Sequence, residues 1–256
     1  MHYISILSTI VTFIFAAAVF NRYRQRKGTH LLLWGIGLIF YGLGTLTEVI
    51  LSFTFSELAL KVWYLCGAML TAAWLGQGTV HLLVRKPKVA STLTVILAVV
   101  SLIAAALVFS VQINEQAAAS YNPALPASAY NPAMPGAISP EGEAQPQYKA
   151  IMDTGGALLV MTILLNIYGT ITLVGGAIYS AWLFWRKKVL LNRVLGNVLI
   201  AAGALMPAMG GTLLKAGLAD WLYVSEFLGV VIMYSGFMLA TAAPVAEPKP
   251  VVSPST

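Results

Sequence analysis

The stretch that decides the fold is Thr154–Phe184, TGGALLVMTILLNIYGTITLVGGAIYSAWLF, which contains no charged residue. As a helix it would extend ~46 Å at 1.5 Å per residue, whereas about 20 apolar residues cross a ~30 Å hydrocarbon core. It is therefore expected to tilt, or to project beyond a membrane on one side. Cutting the rest of the chain at its charges and turn residues marks six further spans: Tyr3–Phe20, Leu31–Phe53, Val62–Val84, Val89–Val111, Val194–Leu214 and Trp221–Ala243. Short alternating segments of the kind that build a membrane barrel are not seen. The expected fold is all-α, a single bundle of seven transmembrane helices over residues 1–243.

Composition agrees. Of 256 residues, 59% are hydrophobic and 9% charged, with a mean hydropathy of +0.81. A soluble domain carries about 25% charged residues, so this chain lacks the polar surface to cover itself in water. That excludes a soluble enzyme, a nucleic-acid-binding domain and a disordered chain, and it makes the lipid bilayer the first partner. Cys66 is the single cysteine, so no internal disulfide or multi-cysteine metal site can form.

Charge sets the expected orientation. Arg22, Arg24, Arg26 and Lys27 follow the first span, Arg85, Lys86 and Lys88 the third, and Arg186, Lys187, Lys188 and Arg193 the fifth, with Lys249 in the tail. The other side holds Lys61, Lys149 and Lys215 together with Glu57, Glu115, Glu141, Glu143, Asp153 and Asp220. This positive-inside asymmetry predicts an external N-terminus and a cytoplasmic C-terminus in the plasma (inner) membrane. The net charge of +6 thus reports topology and contact with anionic headgroups, and nucleic acid is not expected. The basic cluster follows the first apolar run instead of preceding it, which predicts a retained helix in place of a cleaved signal. Trp63, Tyr64, Trp221 and Tyr223 at outer ends, and Tyr23, Trp34, Trp182 and Trp185 at inner ends, read as interfacial belts.

Five connections are short. The exception, residues 112–152, holds six of the twelve prolines and an imperfect tandem, Tyr121-Asn122-Pro123-Ala124-Leu125-Pro126 and Tyr130-Asn131-Pro132-Ala133-Met134-Pro135. Proline-rich sequence favours an extended path, which predicts a low-complexity external connector; the alternative is a lid or docking strap. Residues 244–256 read as a disordered cytoplasmic tail.

Two charges fall within the spans, Glu48 and Glu226, each about 7 Å below the outer surface at helical rise. Intramembrane carboxylates are costly and suggest a function with a partner. They define the candidate ligand site, an outer vestibule, against the alternative of local pairing such as Glu226 with Lys215. Polar stripes at helical spacing extend it: Tyr41 and Thr45 beside Glu48; Gly67, Thr71, Trp74, Gln77, Gly78 and His81 on the third span; Thr162, Asn166 and Thr170 on the fifth; Tyr223 and Tyr234 beside Glu226. Such stripes face the bundle interior, as interhelical hydrogen bonds or as a lined cavity. Gly196, Gly203 and Gly210 recur every seven residues on the sixth span with Pro207 between the last two, a surface for close packing with a kink.

No zinc-protease motif, phosphate loop or C-x-x-C is present, and neither catalytic residues, metal nor cofactor is expected. The layout is similar to that of microbial rhodopsins, but that family needs a lysine in the seventh helix and Trp221–Ala243 has none, so retinal is not implied. It also resembles the membrane sensor modules of some bacterial kinases, in layout and without a shared motif. The leading expectation is a membrane sensor or ligand-binding subunit, taking a small molecule near Glu48 and Glu226 and needing a protein partner for output. The alternatives are a small-solute transporter with a 3+1+3 helix repeat, suggested by Gly44-Thr45-Leu46 against Gly211-Thr212-Leu213, and a structural subunit of a membrane complex.

Overall fold

The structure is a computed structural model that describes residues 2–140, 142–187, 191–215 and 220–242, with the side chains of 2, 208–215 and 220 left aside. The expected pairing of Glu226 with Lys215, the third glycine of the sixth span and the tail 244–256 therefore lie outside the described residues. The described chain is all-helical apart from three isolated bridges. Its long helices are α1 (His2–Arg26), α2 (Thr29–Leu51), α3 (Glu57–Leu83) and α4 (Pro87–Ser110). After two short helices, α5 (Glu115–Ala119) and α6 (Gln147–Ile151), come α7 (Gly156–Arg186), α8 (Leu191–Lys215) and α9 (Asp220–Thr241).

Six of these are long and apolar enough to cross a membrane, which makes this a multi-pass membrane protein. The remaining long helix, α8, is apolar over Leu191–Pro207. Local chemistry places the boundaries. Ser56 caps α3, its side chain accepting from the Ala59 amide at 3.3 Å, so α3 starts five residues before the expected span. Pro87 opens α4 at a position where its missing N–H costs nothing.

Helix α1 packs on α2 and α9, α2 on α3, α3 on α7, α7 on α8, and α8 on α9, closing a ring of six. Helix α4 lies outside the ring against α3 and turns Val95, Val99, Leu102 and Ile103 outward, as a lipid-facing surface requires. At one face of the bundle, Arg22 Nη2 donates to the Thr241 carbonyl at 2.8 Å, so a cation from α1 satisfies the C-terminal end of α9. Helices α8 and α9 approach through bare backbone. A Cβ on Gly196 would sit 2.6 Å from the Gly236 carbonyl oxygen, and one on Gly203 2.6 Å from that of Gly229. The seven-residue glycine spacing of α8 is thus answered by the same spacing on α9.

The connector 112–152 is folded, contrary to the low-complexity expectation. Each tandem copy makes the same asparagine turn: Asn122 Oδ1 accepts from Ala124 N at 3.0 Å, and Asn131 Oδ1 from Ala133 N at 3.1 Å. Gln147, fully buried, joins the copies. Its Oε1 accepts from Asn122 N at 2.8 Å and Asn131 Nδ2 at 3.1 Å, and its Nε2 donates to the Asn122 and Pro126 carbonyls, each at 3.2 Å. Backbone bonds from Gln147 to Ala129 and from Tyr148 to Ala127 close the unit, and Met134, Ile151 and Met152 carry it into the same core as Leu51 and Leu60. Proline limits helix and ladder, but turns and one buried amide supply the missing bonds. The segment is a lid over one end of the ring.

Candidate functional site

The site begins on one face of α2, where Tyr41, Thr45 and Glu48 follow at helical spacing. Tyr41 Oη donates to the Glu226 backbone carbonyl at 3.1 Å, tying α2 to α9. Glu48 is 8% exposed; its Oε1 accepts from Trp63 Nε1 at 2.8 Å, while its Oε2 is buried without a hydrogen-bond partner among the described residues. The Glu226 carboxyl comes up to it from α9, close enough for the two groups to interact directly. Two carboxyls are therefore brought together from the two helices that flank α1.

Helix α3 reaches them by an unusual winding. Trp63–Leu70 is π-helical, and a second π segment, Ile171–Gly175, interrupts α7. Wide turns of this type occur frequently at functional sites. Thr71 Oγ1 donates back to the Cys66 carbonyl at 2.8 Å, and Asn166 Nδ2 from α7 donates to the Ala68 carbonyl at 2.7 Å and the Thr162 carbonyl at 2.8 Å. Gly44 and Gly67 let α2 and α3 meet closely, since a Cβ on Gly44 would lie 2.9 Å from Gly67 Cα.

These elements enclose a cavity of about 340 Å³ lined from α2, α3, α7, α8 and α9, with Ser128 of the lid contributing from above. The volume falls among small-molecule sites, ~300–1,000 Å³. Its only charged lining residues, among the described ones, are Glu48 and Glu226. Its floor is apolar: Leu75, Leu173 and Met233 continue into a cluster with Phe15, Leu38 and Phe237. The lid rests directly on the site. Tyr148 packs on Trp63 at 5.4 Å and on Tyr64 at 5.7 Å, and Tyr121 packs on Phe55 at 5.4 Å. Burial, then proximity to Tyr64, pushes the Tyr148 phenol up to about 12. Burial and then the Glu48 charge push Tyr121 up as well.

Of the sequence-derived site residues, Tyr41, Thr45, Glu48, Asn166 and Glu226 line this cavity. Trp74 and Gln77 do not. Trp74 Nε1 donates to Ser101 Oγ at 3.0 Å, and Gln77 Nε2 donates to Thr94 Oγ1 at 2.8 Å and the Ala90 carbonyl at 2.9 Å, while Tyr168 Oη donates to Gln77 Oε1. Both hold α4 against the ring, with His81 joining through Thr94 at 2.8 Å. Tyr223 is buried on α9 away from the lining. Trp63 and Tyr64, expected in an interfacial belt, are buried under the lid; Trp221, Trp182 and Trp185 are exposed, as a belt requires. Sequence reading missed Trp63 and Ser128 as site residues; the tandem repeat was the one signal that the lid had a defined shape. No group of three or more metal-ligating side chains occurs among the described residues. No family model, curated protein or solved structure matches the chain.

Proposed function

We propose that this chain is a membrane sensor or ligand-binding subunit that admits a small molecule beneath the lid and transmits its occupancy to a separate protein partner. In this reading all seven long helices cross the membrane, α8 included. The lid and the N-terminus face outward, and the turns bearing Arg22–Lys27 and Arg85–Lys88 face the cytoplasm. The observation that carries it is the buried, unpartnered Glu48 Oε2 in a lidded cavity of small-molecule size. A buried polar atom left unsatisfied is costly, and a bound ligand that donates to it would recover that cost. The apolar floor at Leu75, Leu173 and Met233 favours a closed receptor site over the transporter alternative.

Filling the cavity tests the reading. Ala204→Phe, in full-length protein in nanodiscs, should abolish stabilisation by any small molecule that co-purifies with or is added to the wild type. In proteoliposomes the bound compound should not cross; measured flux would replace the sensor by the transporter. Orientation is checked in a background with Cys66 replaced by Ser. Ala133→Cys in the lid should react with an impermeant maleimide on intact cells, and Lys88→Cys should react after lysis alone.

A further inference from the structure

Resting on that reading, we propose that the ligand is an organic ammonium ion, a primary amine whose head group and apolar chain together span about 10 Å.

The argument is an inventory of donors and acceptors around the cavity. Among the described side-chain donors, all but the hydroxyls of Ser128 and Thr170 are committed. Tyr41 Oη is committed to the Glu226 carbonyl, Thr45 Oγ1 to the Gly42 carbonyl at 3.2 Å, and Trp63 Nε1 to Glu48. Thr71 Oγ1 is committed to Cys66, and Asn166 Nδ2 to two carbonyls. What remains is acceptor capacity: Glu48 Oε2, the Glu226 carboxyl and the Asn166 carbonyl oxygen. The hydroxyls of Ser128 and Thr170 accept as readily as they donate. A cavity that offers acceptors, two of them carboxyls, and lines itself with no described cation is complementary to a ligand that brings positive charge and N–H donors.

The buried orphan oxygen separates this arrangement from a mere acidic cluster. Glu48, a lining residue, is more than nine-tenths buried, its Oε1 is fixed by Trp63, and its Oε2 is buried without a donor. A bare divalent cation fits poorly. Calcium needs 6–8 oxygen ligands and magnesium a near-ideal octahedron, whereas two carboxyls on a cavity of about 340 Å³ supply neither. The walls say what accompanies the charge. Tyr41 and Trp63 flank the carboxyl end, and aromatic faces attract ammonium groups. Leu75, Leu173 and Met233 form the far end. Glu226 and Met233 lie seven residues apart on α9, about 10 Å along the axis, and this is the span that the ammonium group and its apolar chain together fill. Because the orphan acceptors require N–H donors, an amine is favoured over its quaternary analogue.

The test uses full-length protein in nanodiscs and four probes of matched skeleton: hexylammonium, hexyltrimethylammonium, hexanol and hexanoate. Binding is read by calorimetry and by thermal unfolding. Hexylammonium should bind saturably, at least tenfold more tightly than hexyltrimethylammonium, with hexanol and hexanoate weaker still. Glu48→Gln and Glu226→Gln should each weaken hexylammonium at least tenfold while melting cooperatively without ligand, so that lost binding is not lost folding. Equal binding of hexanol, undiminished ammonium binding in both Gln variants, or no binding of hexylammonium by the wild type would each overturn the ammonium assignment. Ala204→Phe separates that failure from failure of the site. If it blocks whichever probe does bind, the cavity stands and the ligand class falls; if it blocks none, the site reading falls with it.

Discussion

Removing Gln147 should open the lid without unfolding the bundle. In Gln147→Ala the four side-chain bonds that join the tandem copies are lost, two accepted from Asn122 N and Asn131 Nδ2 and two donated to Asn122 and Pro126. The position is fully buried, so none of these groups has solvent as a ready substitute. At a net ~0.5–1.5 kcal/mol per bond, the lid should lose about 4 kcal/mol. Each 1.4 kcal/mol is a factor of ten, so its opening equilibrium should rise by about three powers of ten. Local opening of this kind is what amide hydrogen exchange reports. The amides of Ala129, Gln145 and Tyr148, bonded within the lid to Pro126, Ala137 and Ala127, should exchange about a thousandfold faster. Peptides from α2 and α9 should exchange as in the wild type. Gln147→Glu sets a second acceptor against the Asn122 and Pro126 carbonyls at a buried position, and should open the lid at least as far. Acceleration of less than about threefold in Gln147→Ala would refute the view that this amide holds the lid, and with it the view that the roof over Glu48 is a discrete unit.

The remaining predictions concern the carboxyl, the helix contact and the lid tyrosine. Glu48→Gln, without ligand, should stabilise the protein by ~1–2 kcal/mol, because its oxygen still accepts from Trp63 while its nitrogen, in place of the orphaned oxygen, can donate to the neighbouring Glu226 carboxyl; Glu48→Leu should destabilise it by ~1–3 kcal/mol by stranding the Trp63 N–H. Thermal unfolding of the two variants side by side checks the order. Gly203→Ala should cost at least ~2 kcal/mol, since its Cβ would stand 2.6 Å from the Gly229 carbonyl oxygen and the α8–α9 contact has no slack; melting in detergent reads it. For Tyr148, the folded phenol sits up to about 12 against ~10 when unfolded, so above pH 10 the open lid loses its proton first. Lid stability should be level up to about pH 10 and fall between there and about 12, with Tyr148→Phe flattening the decline in proteolysis of residues 112–152.

Sequence and structure part company where distant contacts, and not local pattern, decide. The apolar runs were legible because a charge in lipid is costly enough to leave long uncharged stretches, and the same cost singled out Glu48 and Glu226. The third-span stripe misled for a geometric reason. A 3.6-residue period puts Gly67, Thr71, Trp74 and Gln77 within one broad face, but Thr71, Trp74 and Gln77 follow the π segment Trp63–Leu70 in regular helix, and the two edges of that face meet different partners. Trp63, Gly67, Ala68, Thr71, Ala72 and Leu75 line the cavity, while Trp74 and Gln77 turn toward α4. Nothing in residues 63–70 alone announces that turn, because a partner on another helix, Asn166, satisfies a carbonyl within it.

The lid was illegible for a related reason. Its bonds run from Gln147 back to Asn122, Pro126 and Asn131, separations that no local propensity scores, and it has no apolar period to betray a core. Yet the tandem made a structural promise. Two copies of Tyr-Asn-Pro-Ala that form the same asparagine turn can both be satisfied by one buried amide, whose oxygen takes a bond from each copy. The two asparagine turns of the lid are therefore satisfied within the lid, whereas the cavity below them is bordered by two buried polar atoms without a partner, Ser128 Oγ and Glu48 Oε2. A fold that completes one network and leaves the adjoining one open has placed its remaining hydrogen-bonding capacity where a ligand can use it.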